Sequence, residues 1–294
     1  MGRLEGQLAR DAARADALRP PDVIPLKERE FERFRHFIHE RAGISLAPHK
    51  RQMVSARLQR RLHHLGLHSF DAYLDRVFEP DQDQERQHLV DLLTTNETYF
   101  YREPAHFEYL REQVLPTYHG LGLRLWSAAC STGEEVYTLA MVLADALGPG
   151  DWHILGTDIS QRVLEQARQG VYPLERARHL PRPWLERYCL KGVRAQAGNL
   201  LIDPKLKSRV TLKQHNLLQP RRDGESFDII FLRNVLIYFD PPTKQRVIDR
   251  LFASLRPGGL LFISHVESLH GLDTPLIMIR PSIFQRPSTQ RGAP

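Results

Sequence analysis

The period of the apolar residues changes once along this chain. From Lys27 to about Thr95 they recur at helical spacing, with no strand-like alternation. Phe31, Phe34, Phe37 and Ile38 make one amphipathic face, and Ala42-Gly43 predicts its end. A second helix is expected after Pro48, running to about Leu65-Gly66 with Val54, Leu58, Leu62 and Leu65 on its apolar face. Shorter helices follow over 69–78 and 84–93. From Arg124 the pattern turns to short apolar runs separated by helices. Leu125, Trp126, Ala128 and Ala129 lead into Ser131-Thr132-Gly133, and Val136, Leu139, Ala140, Leu143 and Leu147 then keep the 3.6-residue period. Gly148-Pro149-Gly150 stops that helix, and a second apolar run from His153 to Gly156 ends in Thr157-Asp158. Strand, tight turn, helix, strand and acid form one βαβ unit of the length of a nucleotide-binding half.

The alternation continues to the end of the chain. A helix is expected from Gln161 to Gln169, then a Pro- and Arg-rich stretch to Leu190. Short strands over 188–211 suggest a small β insertion. Val210 to Leu217 resumes the sheet, and Phe227 to Leu232 is a continuous apolar run, as befits a strand buried on both faces. Pro241-Pro242 starts a helix over 243–255, Arg256-Pro257-Gly258-Gly259 turns into a strand over 260–266, and a last extended run lies near 277–284. The class is α/β. Residues 1–26 read as a weakly helical or disordered extension, 27–93 as an all-helical domain, 94–104 as a linker, 105–288 as an α/β domain with its β insertion at about 188–209, and 289–294 as a tail.

Composition narrows the class without choosing a function. The chain has 294 residues, enough for one large domain or a large and a small one. No apolar run approaches the length of a membrane span, so no membrane insertion is expected, and the N-terminus lacks the apolar core of a secretory signal. Cys130 and Cys189 make neither a disulfide framework nor a metal spacing; no metal is expected, and the cytoplasm is the expected compartment. A net charge of +6 favours an anionic partner. Lys50, Arg57, Arg60, Arg61 and His64 adjoin the apolar face of the second helix, and no acid occurs between Glu40 and Asp71. Like charges four residues apart, such as Arg57 and Arg61, cost a few tenths of a kcal/mol. That cost favours a docking role for an anionic partner over an ordinary solvated face.

Candidate chemistry gathers where strands end. Small residues at Ala128, Ala129, Ser131 and Gly133 let a ligand approach the backbone, and the free N–H groups of a helix start meet polar ligand groups there. Asp158 stands where such folds place the acid that grips a ribose diol. The strand over 227–232 delivers Arg233 and Asn234 to the carboxyl edge of the sheet, followed by Tyr238 and Asp240. In the linker, Asn96, Thr98 and Arg102 are candidates for lining a site, although a capped, packed linker accounts for Asn96 and Thr98 nearly as well. The fingerprint is not GxGxxG, so these residues alone support an adenosine-type cofactor and nothing finer.

The motifs TTNETYFYREP (94–104), WSAACSTGEE (126–135), TDIS (157–160), FLRNVLIYFD (231–240) and RPGGLLFISHVESL (256–269) together resemble the chemotaxis receptor methyltransferase (CheR) family. The resemblance covers roughly residues 28–286. It implies a small N-terminal all-helical domain, then a Rossmann-like class I methyltransferase domain with an inserted small antiparallel β-subdomain. The implied cofactor is S-adenosyl-L-methionine, with S-adenosyl-L-homocysteine as product. The implied activity is protein-glutamate O-methyltransferase on the acidic, glutamate-bearing cytoplasmic helical domain of chemoreceptors. Asn96, Thr98, Arg102, Ala128, Glu134, Asp158, Asn216, Leu217, Arg233 and Asn234 resemble cofactor-contacting residues, with Asp158 as the ribose acid and Asn216 and Leu217 flanking the adenine. Arg102, Arg233 and Tyr238 would serve the transfer itself. Lys50, Arg57, Arg60 and Arg61 would dock the receptor, and the β-subdomain would take a receptor C-terminal peptide. A monomer is expected. The chain departs from the family at Cys130, where a small residue such as Ala is common, at Ser264-His265-Val266-Glu267 in place of GHSE, and at Val193-Arg194 in place of a GxG turn.

A carboxylate nucleophile is already ionised at neutral pH, so the implied chemistry needs alignment rather than a general base. Either Arg102 or Arg233 is suited to fork the incoming carboxylate, a surface ion pair with Asp240 being the alternative for Arg233. Glu134 has the alternative of an ordinary acid in a helix's first turn, and Tyr238 that of a packing tyrosine beside Phe239. Two other readings remain. A methyltransferase of RNA would use the basic helix differently, but that helix has no interleaved stacking aromatics, so no nucleic acid is expected. A non-catalytic sensor would fit loss of Asp158, Arg102 or Arg233, and all are present.

Overall fold

The computed structural model describes residues 23–118, 122–221 and 223–288; the readings of residues 1–22 and 289–294 lie outside the described residues. By its contacts the chain divides into two compact units, one within residues 1–35 and 47–86 and the other within 36–46 and 87–294. Two of these divisions fall inside helices, over 28–42 and 83–93. Tertiary bonding explains this. Asp91 accepts the amides of Gln161 and Arg162, and Gln87 bonds the Ile159 carbonyl, so the end of the last helix of the expected module belongs with the α/β unit.

In the first unit, helix α1 (Glu28–Ala42) contributes its first half, followed by α2 (Arg51–His64), α3 (Phe70–Phe78) and the start of α4 (Asp83–Leu93). Phe31, Phe34, Val54, Leu58, Leu62, Phe70, Tyr73, Leu74 and Val77 are buried there, with the rings of Phe34 and Phe70 edge to face at 6.0 Å. Ser69 caps α3 by accepting the Ala72 amide. One expectation changes: Ile24 is anchored, since the Gln59 side chain bonds both its amide and its carbonyl. Helix α2 holds no acid of its own, but neighbouring helices supply partners: Arg61 forms a two-point ion pair with buried Glu85, which also accepts the Tyr73 hydroxyl, and Arg51 pairs with Glu28. Sequence distance hid these acids, which lie on neighbouring helices.

The second unit also holds α5 (Pro104–Tyr109) and a seven-stranded sheet. Its strands are β1 (Leu123–Ser127), β2 (Trp152–Asp158), β6 (Val210–Gln214), β7 (Phe227–Leu232), β8 (Leu255–Ile263), β9 (Ile277–Arg280) and β10 (Ile283–Gln285). The spatial order is β6-β2-β1-β7-β8-β10-β9, parallel from β6 to β8 and antiparallel at β10 and β9. Helices α6 (Glu134–Leu147), α7 (Gln161–Gln169) and α10 (Pro241–Ser254) follow strands as crossovers, so the sheet's two faces carry separate buried clusters. One is ordered by the stacked rings of Phe107, Phe231 and Phe262, at 6.1 and 4.4 Å. The chain leaves β1 toward β2 on one side and adds β7 on the other. A crevice at the carboxyl ends of β1 and β7 follows, as open α/β sheets place their ligands.

The small antiparallel sheet is present, in the order β3-β5-β4. Its strands are β3 (Val171–Pro173), β4 (Cys189–Lys191) and β5 (Asn199–Ile202), with α8 (Arg182–Tyr188) between the first two and the short α9 (Pro204–Lys207) after the last. The sheet therefore starts upstream of the 188–209 stretch in which it was expected. Three residues ending in proline are too short to show a period of two, and only pairing with β5 makes Val171–Pro173 a strand. Among the described residues no helix is long and apolar enough to cross a membrane.

Candidate functional site

The loop after β1 is drawn tight by its neighbours. Ala128 donates its amide to the Phe231 carbonyl, and Cys130 donates to the Thr157 carbonyl, each at 2.8 Å. A methyl group on Gly156 would lie 2.7 Å from Leu212 and 2.9 Å from Val136, so the strand beneath the loop must carry no side chain there. Asp158, at the end of β2, is buried. One of its oxygens accepts the Ser131 amide and the other the Ser160 amide, both at 2.9 Å. Burial outweighs these bonds and pushes its pKa up to about 6.

The linker closes on the same loop. The Ser131 hydroxyl donates to the Asn96 carbonyl at 2.9 Å, while the Asn96 amide reaches Thr94. The Thr98 carbonyl accepts from Arg176, whose guanidinium also lies 2.7 Å from the fully buried Glu134. Glu134 accepts the Thr132 hydroxyl as well, so it is no surface capping acid. Arg102 is half-buried, bonds the Glu97 carbonyl at 2.9 Å and lies over the Tyr99 ring.

Arg233 stands where β7 was expected to deliver it, but its partners differ from the surface pair with Asp240 that the sequence offered. Its guanidinium is buried over the Phe107 ring, 3.2 Å from Glu103 and 3.0 Å from Glu135, and it bonds the Arg102 carbonyl. That fork is already engaged by two carboxylates, whereas the bond described for Arg102 is to a backbone carbonyl. Asp240 instead caps α10 through the Thr243 amide and pairs with His39 at 2.8 Å. Asn234 adopts a positive φ of 60° and donates to Ser264 and Glu103. Asn216 donates to the Arg41 carbonyl and accepts the Leu218 amide, with Leu217 between, and the Tyr238 carbonyl accepts the Ser45 amide. All of these lie in the second unit. Lys50, Arg57, Arg60 and Arg61 lie on or just before α2 in the first, with Lys50 and Arg60 exposed.

Four further residues organise the site and carried no signal by spacing. Glu103, at φ 57°, accepts from Ser264, Asn234 and the His265 amide besides pairing Arg233, which holds its pKa down at about 2 despite burial. Glu267 accepts the amides of Asn234, Val235, Leu236 and Ser264 and thereby shapes the whole loop after β7. Glu135 holds Arg233 and the Ser127 hydroxyl, and Arg176 bridges the linker to Glu134. The acids could have been suspected from the quoted motifs; Arg176, in a Pro- and Arg-rich stretch, could not.

Glu103, His106 and His265 bring donor atoms within 4.8 Å of one another, the geometry of a metal site. Arg233 already supplies the positive charge on that carboxylate, and a second cation there would be repelled.

The residues at the crevice suit S-adenosylmethionine. Burial raises the pKa values of Glu134 and Glu135 despite Arg176 and Arg233, and raises that of Asp158, so a cationic ligand such as a sulfonium would favour the ionised carboxylates there. Each Asp158 oxygen accepts one amide, and a carboxylate oxygen has a second lone pair with which to accept a ligand hydroxyl.

Comparison with known proteins agrees. The all-alpha domain of CheR methyltransferases matches residues 29–94, and their SAM binding domain matches residues 96–283. A chemotaxis protein methyltransferase of Salmonella typhimurium is 42% identical over 252 residues, 85% of this chain and 87% of that protein. Its Escherichia coli counterpart is 40% identical over 87% of this chain and 90% of its own length, and chemotaxis protein methyltransferase 2 of Pseudomonas aeruginosa 44% over 81% and 86%. Among solved structures, the N-methyltransferase NodS from Bradyrhizobium japonicum, in complex with S-adenosyl-L-homocysteine, aligns with a TM-score of 0.34 at 18% identity, covering 66% of this chain and 70% of that one. The chain is a class I methyltransferase with S-adenosylmethionine as cofactor, and it belongs to the CheR methyltransferase family.

Proposed function

We propose that this protein transfers the methyl group of S-adenosylmethionine to glutamate side-chain carboxylates of chemoreceptors, giving methyl esters. The observation that carries this reading is that, among the described residues, each carboxylate named at the crevice is already bonded within the fold. Glu103 and Glu135 are engaged by Arg233, Glu134 by Thr132 and Arg176, and Asp158 by two amides. His106 is held neutral, its pKa lowered to about 3 chiefly by burial, and burial raises that of the Cys130 thiol. A nucleophile that must first lose a proton would compete with these bonds for an acceptor, whereas a carboxylate needs none. The names of the relatives, chemotaxis protein methyltransferases at 40–44% identity, support the same substrate class.

When bound, S-adenosylmethionine supplies an electrophilic methyl carbon on a sulfonium. Asp158 takes the ribose diol, Asn216 and Leu217 flank the adenine, and Asn96, Thr98, Ala128, Glu134 and Asn234 line the rest. Arg102 meets the incoming glutamate, and Tyr238 borders the reacting methyl. Arg233 acts as the anchor that joins the linker to the first loop. Held there, S-adenosylmethionine would give its methyl to the acceptor oxygen, the electron pair of the carbon–sulfur bond remaining on sulfur. Water exclusion and alignment supply the rate, because the reaction moves no proton.

Receptor docking falls to Lys50 and Arg60, exposed beside the α2 face, with Arg57 adding charge; Arg61 serves the fold through Glu85. The edge of the three-stranded sheet is the place for a receptor C-terminal peptide. This reading places the protein, as a monomer, in the cytoplasm.

The test is transfer of labelled methyl to a receptor cytoplasmic fragment followed by base. Volatile labelled methanol is the expected product, since a carboxyl methyl ester hydrolyses. Transfer of base-stable label would overturn the ester assignment, and cofactor binding without transfer would point to a different substrate or a sensor.

A further inference from the structure

One seven-residue stretch, His39 to Ser45, bonds to both ends of the presumed cofactor crevice within the second unit. On the adenine side, the Arg41 carbonyl accepts the Asn216 side-chain amide at 2.7 Å. On the methyl side, the Ser45 amide donates to the Tyr238 carbonyl at 2.8 Å, and Ile44 forms a backbone bridge with Phe239. His39 Nε2 lies 2.8 Å from Asp240, the residue that caps α10 two positions after Tyr238.

Between these contacts sits Gly43, which ends α1 with a φ of 73°. A methyl group there would stand 2.6 Å from Thr243 and 3.2 Å from Leu218. The stretch therefore lies against both the loop after β6 and the start of α10. Left-handed backbone and close approach each demand glycine at this point.

The geometry points to residues 39–45 as positioning residues for methyl transfer. They hold Asn216 and Tyr238 in one frame and set the separation between the adenine end of the crevice and its reacting end. This rests on the function proposed above. No residue of this stretch touches the reacting atoms; each acts through Asn216, Tyr238 or Asp240.

Single substitutions separate the two ends. His39→Ala loosens only the methyl side, so kcat for a receptor fragment should fall about tenfold while the calorimetric Kd for S-adenosylmethionine stays within about twofold. His39→Gln, which can place a donor near Asp240, should restore most of the rate. Gly43→Ala disturbs both ends and should weaken cofactor binding about tenfold as well as slowing transfer. Ser45→Pro, which deletes the Ser45 amide donated to the Tyr238 carbonyl, should repeat the His39→Ala pattern if Gly43→Ala does not fold. Constants that stay at wild-type values per folded molecule, with or without a lower Tm, would overturn the proposal and leave the stretch purely structural. Failure of the wild type to methylate the fragment would instead strike the proposed function, and the calorimetric effect of Gly43→Ala would still be readable.

Discussion

Asp158 shows how a single buried carboxylate links protonation to ligand binding. Its ordinary pKa lies near 3.8 and rises to about 6 in the fold, because desolvation exceeds what two amide bonds return. The ionised form is therefore held at a cost above pH 6. Lowering the pH through 6 relieves that cost, so this group's contribution to the stability of the ligand-free protein improves as the pH falls from about 6 toward 3.8. A diol binds the ionised form, so its grip moves the opposite way. The Kd for S-adenosylmethionine should be flat above about pH 7 and rise toward tenfold per unit below about 6. Calorimetry across pH checks this; a flat profile down to pH 5 would remove Asp158 from the binding site. Asp158→Asn should abolish the pH dependence and weaken binding at pH 7.5 by about tenfold.

At the scale of elements, buried carboxylates fasten loops and helices that hydrophobic pattern alone leaves loose. Glu267 gathers four amides from the loop after β7 and from the end of β8. Glutamine offers one acceptor and an amide that opposes neighbouring donors, so Glu267→Gln should lower kcat about tenfold by releasing Asn234 and Tyr238. Steady-state kinetics reads it, and an unchanged kcat would mean the loop keeps its shape without that anchor. Glu85 does the same for α2 and α3, holding Arg61 and the buried Tyr73 hydroxyl. Removing it strands both partners, so Glu85→Ala should cost about 3 kcal/mol in urea unfolding, with a loss below 1 kcal/mol indicating that both find water.

For the molecule as a whole, a net charge of +6 and an acidic partner predict association that weakens with salt. Reversing Lys50 and Arg60 together should raise the KM for receptor several-fold at low ionic strength, less at 0.5 M salt, and leave the Kd for cofactor unchanged. A matched loss of cofactor binding would show that the change had damaged the fold rather than the docking surface. Arg61 is unsuitable for this test, since its reversal would confront buried Glu85.

Periodicity and turn chemistry were enough for the order of helices and strands, the βαβ start and the acid at the end of β2, because these depend on residues close in the chain. The positions of Asp158, Arg233 and Asn234 were legible for the same reason: the first ends an apolar strand and the other two directly follow one. Which of the two arginines is ion-paired in the fold was not legible. Arg102 and Arg233 look alike in the sequence, and only the approach of Glu103 and Glu135, from a linker and a helix on either side of β1, engages one of them. The same holds for Arg61 with Glu85, for Arg176 with Glu134, and for the short strand Val171–Pro173, which exists only through pairing with β5. Local pattern reports which face of an element is apolar. Charge partnership and strand pairing are settled between segments tens of residues apart, where burial makes an unpaired group costly and so selects the partner.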